Sequence, residues 1–99
     1  MKILHVTYGF QLGGIETMLR NIANEQAGLG HDVSIMVIND IVNSELRDSL
    51  DDRIRFICLE RKVGSKSLVH ILKMNRIIHV IKPDIVHLHY SSISRFLVD

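Results

Sequence analysis

Three groups of residues in this chain could do chemistry. The first is the glycine pair Gly13 and Gly14 in "YGFQLGGIETMLRN", where a short apolar run gives way to helical spacing. A turn from strand to helix is a natural anion site, because the helix offers unpaired amides and the positive end of its dipole. Glycines there lack the Cβ that would hold a phosphate away from the backbone. The alternative is that the pair serves only a tight turn. Glu16, in the first helical turn, is either a general base or a carboxylate placed to suit the dipole. The second group is imidazoles: His87 and His89 at spacing two in "DIVHLHYS", and His5 in the first apolar run. Spacing two puts both on one strand face, and three converging imidazoles would suit zinc. Strand interiors in a sheet covered on both faces are buried, however, so these histidines are expected to pack, with no metal. His89 ends its strand and so reaches the crevice together with Tyr90 and Ser91. The third group is Cys58, Arg61 and Lys62: a mid-strand thiol expected to be buried and inert, and a basic loop pair expected to be solvated.

The glycine spacing narrows the choice of phosphate ligand. A dinucleotide fingerprint needs G-x-G-x-x-G with an acid roughly 20 residues further on. Here Gly9, Gly13 and Gly14 give G-x-x-x-G-G, and Asp40 would have to be the ribose-binding acid. The spacing misses, so a nicotinamide or flavin cofactor is not expected. No G-K-[ST] occurs, which excludes a P-loop.

These residues have to be positioned by regular elements, and the hydrophobic period supplies them. "KILHVT" (2–7), "VSIMVI" (33–38), "IRFICL" (54–59) and "DIVHLH" (84–89) are short apolar runs of the kind found in strands covered on both faces. Ile15, Met18, Leu19, Ile22, Ala23, Gln26 and Leu29 follow helical spacing, ended by "GLGHD". A short helix is predicted over 43–50, capped by Asn43 or Ser44. A longer one is predicted from about 67 to 81, capped by Ser65 or Ser67, with Leu68, Ile71, Leu72, Ile78 and Ile81 as its core face. Lys82 and Pro83 stop it. Met18, Met36 and Met74 are expected to fill core. The order β-α-β-α-β-α-β implies a parallel, doubly wound, Rossmann-like α/β sheet in strand order 3-2-1-4. In that fold the first strand-to-helix turn lies at the carboxyl end of a central strand, beside the crevice where ligands bind.

Composition bounds the function. The 99 residues allow one domain at most. A net charge of +1 offers no footprint for nucleic acid. A single cysteine rules out an internal disulfide, and no apolar run reaches the ~18 residues of a membrane span. The N-terminal run meets polar residues too early for a signal peptide, which points to the cytoplasm. The chain stops inside a further helical pattern, "SSISRFLVD", with no closing strand, and so is expected to be the front of something longer.

The opening "MKILHVTYGFQLGGIETMLRNIANEQAGLGHDVSIMVI", followed by "IKPDIVHLHYS", resembles the start of glycosyltransferase family 4 enzymes. The resemblance covers most of residues 1–38 and 82–91. It implies a retaining sugar-transfer enzyme of the GT-B architecture, with two Rossmann-like domains facing across a cleft. Residues 1–99 would be a partial, acceptor-side N-terminal domain, lacking the domain that holds most of the nucleotide-sugar pocket, and would be inactive alone. By the same resemblance Gly13 and Gly14 approach the donor diphosphate; from their positions in the chain, Glu16, His89, Tyr90 and Ser91 are candidate acceptor contacts. The partners would be a nucleotide-sugar donor and a glycan, lipid or small-molecule acceptor, with no metal, no cofactor and a site at the inner membrane face if the acceptor is a lipid. The catalytic residues would lie downstream. The other reading is a stand-alone, non-catalytic α/β ligand-binding or signalling module. A receiver domain would need acids after strand one and an aspartate after strand three, where this chain has Thr7-Tyr8 and Glu60. A free edge on the strand at 85–89 would also favour a homodimer.

Overall fold

The structure, a computed structural model, describes residues 1–62 and 69–89. Four strands and three helices alternate: β1 (Lys2–Thr7), α1 (Gly14–Gly28), β2 (Asp32–Asn39), α2 (Ser44–Asp48), β3 (Arg55–Arg61), α3 (Val69–Ile81) and β4 (Ile85–Leu88). All pairings are parallel and the sheet order is β3-β2-β1-β4, as the sequence predicts. The order follows from the chain's alternation, since each parallel step needs a crossover helix to return to the same end of the sheet.

Both faces of the sheet carry a core. On one, α1 and α2 deliver Leu19, Ala23, Ala27 and Leu46 onto Val33, Ile35 and Val37 of β2. On the other, α3 lays Met74, Ile77, Ile78 and Ile81 over Leu4, Val6, Met36 and Ile38. Strand β2 is therefore covered on both sides, and its inner residues Val33–Ile38 are all buried. That is why "VSIMVI" is continuously apolar and not alternating. The cap of α2 is Asn43, whose side-chain oxygen accepts from the Leu46 amide at 2.9 Å. Helix α3 ends with Lys82 in the left-handed region at φ 52, its amide donating to the Ile78 carbonyl, and Pro83 follows.

Several expectations need correction. The buried row of α1 is Leu19, Ala23 and Ala27, a narrow i, i+4 stripe whose two alanines bring the helix close to β2. Ile15 and Leu29 lie on the exposed flank with Met18, which is 50% exposed and not core filler. Helical spacing identifies a helix face but not how much of it the sheet is wide enough to cover. On α3, Leu72 points to solvent and Met74 takes the buried position. β4 is shorter than the run 84–89 and alternates exposed with half-buried residues, because Val86 and Leu88 pack on the α3-side core while Ile85 and His87 lie on the opposite, less covered face. Arg61 belongs to β3 and not to a loop, after a register shift near Glu60, which sits at φ 57. The predicted caps Ser65 and Ser67, the core position Leu68 and the helical pattern after Tyr90 lie outside the described residues.

Candidate functional site

The carboxyl ends of β1 and β2 carry the loop that holds the glycine pair. Thr7 ends β1, and its hydroxyl donates to the Gly9 carbonyl at 3.2 Å. The chain then crosses above β2: the Asn39 amide donates to the Tyr8 carbonyl at 2.7 Å, and the Phe10 amide donates to the Ile41 carbonyl at 2.9 Å. The Asn43 amide donates back to the Phe10 carbonyl at 2.6 Å, and Phe10 and Val42 form an isolated parallel bridge. The Phe10 side chain is fully buried beneath this crossing, its ring centroid 5.5 Å from that of Phe56. The loop that presents Gly13 and Gly14 is therefore bolted to the core by one aromatic ring and three backbone hydrogen bonds. The sequence reading missed Phe10. The signal that could have found it is a large aromatic isolated among glycine, glutamine and leucine in a loop.

Gly13 is the N-cap of α1, with extended backbone at φ −151 and no side-chain cap, and its carbonyl accepts from the Thr17 amide. Gly14 is the first helical residue. Neither adopts a positive φ, so the turn itself does not require glycine at either position. A Cβ on Gly14 would meet nothing within 4 Å. A Cβ on Gly13 would stand 3.0 Å from a carboxylate oxygen of Glu16. Glu16 thus folds back over the N-cap, the position a capping-box glutamate takes. The Glu16 carboxylate therefore fills the space beside Gly13, while the space beside Gly14 is open. An open depression of 640 Å³ starts there and runs along α1 past Met18 to Glu25.

Asp40, weighed above as a ribose-binding acid, is ion-paired with Lys62 at 3.0 Å, and that hydrogen bond holds its carboxyl below the usual carboxylate range. Its amide donates to the Arg61 carbonyl. Arg61 in turn donates to the Asn39 side chain at 2.9 Å, while the Lys62 side chain remains largely solvated, as expected. Cys58 is half-buried and its thiol donates to the Asn39 carbonyl. These groups are occupied in closing the sheet at β2 and β3.

The three histidines of β1 and β4 converge. His5 stands opposite His87 in the parallel register, and His89 lies two residues on. All three rings project to the α1 face, where His5 Nε2 donates to Gln26 Oε1 at 2.7 Å. His5 Nδ1 lies 3.1 Å from His89 Nε2, and the His87 and His89 rings stack at 4.1 Å between centroids. Burial, and the neighbouring His87 and His5, push His89 down to about 4. Burial also lowers His5, against the raising effect of Gln26. At neutral pH His89 is therefore uncharged. The His89 ring is thus turned onto the α1 face of the sheet, while Tyr90 and Ser91 lie outside the described residues. Glu16 lies in the first turn of α1, and His89 directly follows β4.

A sequence-family model described as Glycosyltransferase Family 4 matches residues 12–97, everything but the first strand, part of its loop and the last two residues. No curated protein and no solved structure matches the chain.

Proposed function

The chain belongs to glycosyltransferase family 4, and from that premise we propose that it forms the acceptor-side Rossmann-like half of a GT-B enzyme. The donor in this reading is a nucleotide-sugar held mainly by a second Rossmann-like domain, and the acceptor is a glycan, lipid or small molecule. The observation that carries the reading is Gly14: it opens a helix at the carboxyl end of a central strand, in a loop fixed by Phe10, with no Cβ and free space where one would stand. A helix N-terminus so arranged can stabilise the donor diphosphate as it becomes the leaving group, through amides already in place. Glu16 and the segment from His89 through Tyr90 to Ser91 border the acceptor. A stand-alone ligand-binding module is the weaker reading, since the family match extends through both the glycine loop and β4.

Transfer from radiolabelled nucleotide-sugars to a panel of glycan, glycolipid and small-molecule acceptors tests this. A polypeptide carrying both domains is expected to turn over at least one pair, and residues 1–99 alone none. Multiple turnover by the 99-residue chain would overturn the two-domain division of labour. No turnover by the two-domain protein with any pair would overturn the function.

No helix among the described residues is long and apolar enough to cross a membrane. We place the enzyme in the cytoplasm, at the inner membrane face if its acceptor is a lipid. We also propose that residues 1–99 self-associate through β4, the edge strand of the described sheet, by antiparallel pairing of residues 85–89 across a two-fold axis. Light scattering at micromolar concentration should then give twice the monomer mass. A monomer that stays well ordered would show the edge is covered by other means.

A further inference from the structure

We propose that His5, His87 and His89 form a binding site for an imidazole-preferring divalent transition metal such as Zn²⁺, tying the edge strand β4 to β1. The ligand atoms of the three side chains all lie within 4.8 Å of one another. Zinc–nitrogen bonds of about 2.0–2.1 Å in tetrahedral geometry put ligand nitrogens roughly 3.3–3.4 Å apart. His5 Nδ1 and His89 Nε2 already stand 3.1 Å apart. The remaining adjustment falls on His87, which is exposed and on a four-residue edge strand.

The surroundings prepare the cluster for a cation. Gln26 Oε1 can only accept, so His5 carries its proton on Nε2 and turns the Nδ1 lone pair inward. An outer carbonyl that fixes ring orientation and tautomer in this way is the usual companion of a ligating histidine. Three imidazoles with no carboxylate suit zinc, nickel or copper and not magnesium or calcium, which take oxygen ligands. Three protein ligands leave a fourth position on the exposed side for water. In the metal-free protein the His5 Nδ1 lone pair accepts a hydrogen bond from His89 Nε2 at 3.1 Å, so a metal would replace that bond and leave the His89 proton on Nδ1. The site lies on the sheet flank beneath α1, apart from Gly14, and supplies no group to the donor phosphate. His89 bound to metal could not offer its ring to an acceptor, so Tyr90 and Ser91 would carry that contact.

Tag-free protein, residues 1–99, is titrated with ZnCl₂ and followed by calorimetry and thermal melting. One equivalent is expected to bind, with a melting rise on the order of 10 °C at roughly 100 times the dissociation constant. Mg²⁺ should give no shift. His87→Ala, at an exposed position, and His89→Ala should each weaken zinc binding at least tenfold, while His79→Ala on the exposed side of α3 should not. Metal-free melting curves of each variant confirm folding, and Co²⁺ absorption reports the nitrogen environment if His89→Ala melts too low to titrate. No saturation at one equivalent, or unchanged zinc affinity in His87→Ala, overturns the site.

Discussion

Phe10→Ala is expected to cost about 3–5 kcal/mol, the range for removing a large buried aromatic. Phe10 is fully buried in the α1–α2 core, against Phe56. Small domains hold only about 5–15 kcal/mol in total, so the variant should sit near its folding threshold, with a melting temperature lower by well over 10 °C. The effect should reach past the core. The Phe10 backbone carries two of the three hydrogen bonds that pin the loop over β2, to the Ile41 carbonyl and from the Asn43 amide. Amide exchange at Phe10 and Asn43 should accelerate more than at Ile35, whose strand keeps its neighbours on both sides. Denaturant melts give the first number and hydrogen exchange the second. A loss below 1 kcal/mol would mean the ring does not anchor the loop.

Much of the fold was legible because strands and helices buried on both faces of a sheet leave strong apolar periods. "KILHVT" and "VSIMVI" are runs that only two-sided burial explains, and the stop at Lys82-Pro83 is local chemistry. The α1 face was misjudged where Ile15 and Met18 keep helical spacing on a flank the four described strands do not cover. Leu72 failed for a related reason: on α3 the turn that meets the sheet is set by packing of Met74, which spacing alone cannot choose. Phe10 was invisible because a loop has no period. The histidines were legible as a strand pattern, yet their meeting point was not. It depends on register between β1 and β4 and on Gln26, twenty-one residues from His5 on a helix. The glycine pair was readable as a position, but only the folded backbone distinguishes Gly13, covered by Glu16, from the open Gly14.

Gly14 is where the account of function is most exposed to test. Its φ is not in the left-handed region and its missing side chain leaves free space, so Gly14→Ala and Gly14→Val should fold and melt within a few degrees of the parent. A valine there would stand where the donor phosphate has to come, and its branched side chain would hold the anion off the α1 amides. In a polypeptide carrying both domains, kcat/KM for the nucleotide-sugar should fall at least tenfold in Gly14→Val, about 1.4 kcal/mol or more of lost transition-state binding. Gly14→Ala should fall between, since a single methyl blocks less of the approach. The decisive measurement is therefore the donor kcat/KM of Gly14→Val beside its melting temperature. A tenfold or greater loss with an unchanged melting temperature is the predicted result; parental kinetics in the folded variant would contradict the phosphate approach at this helix.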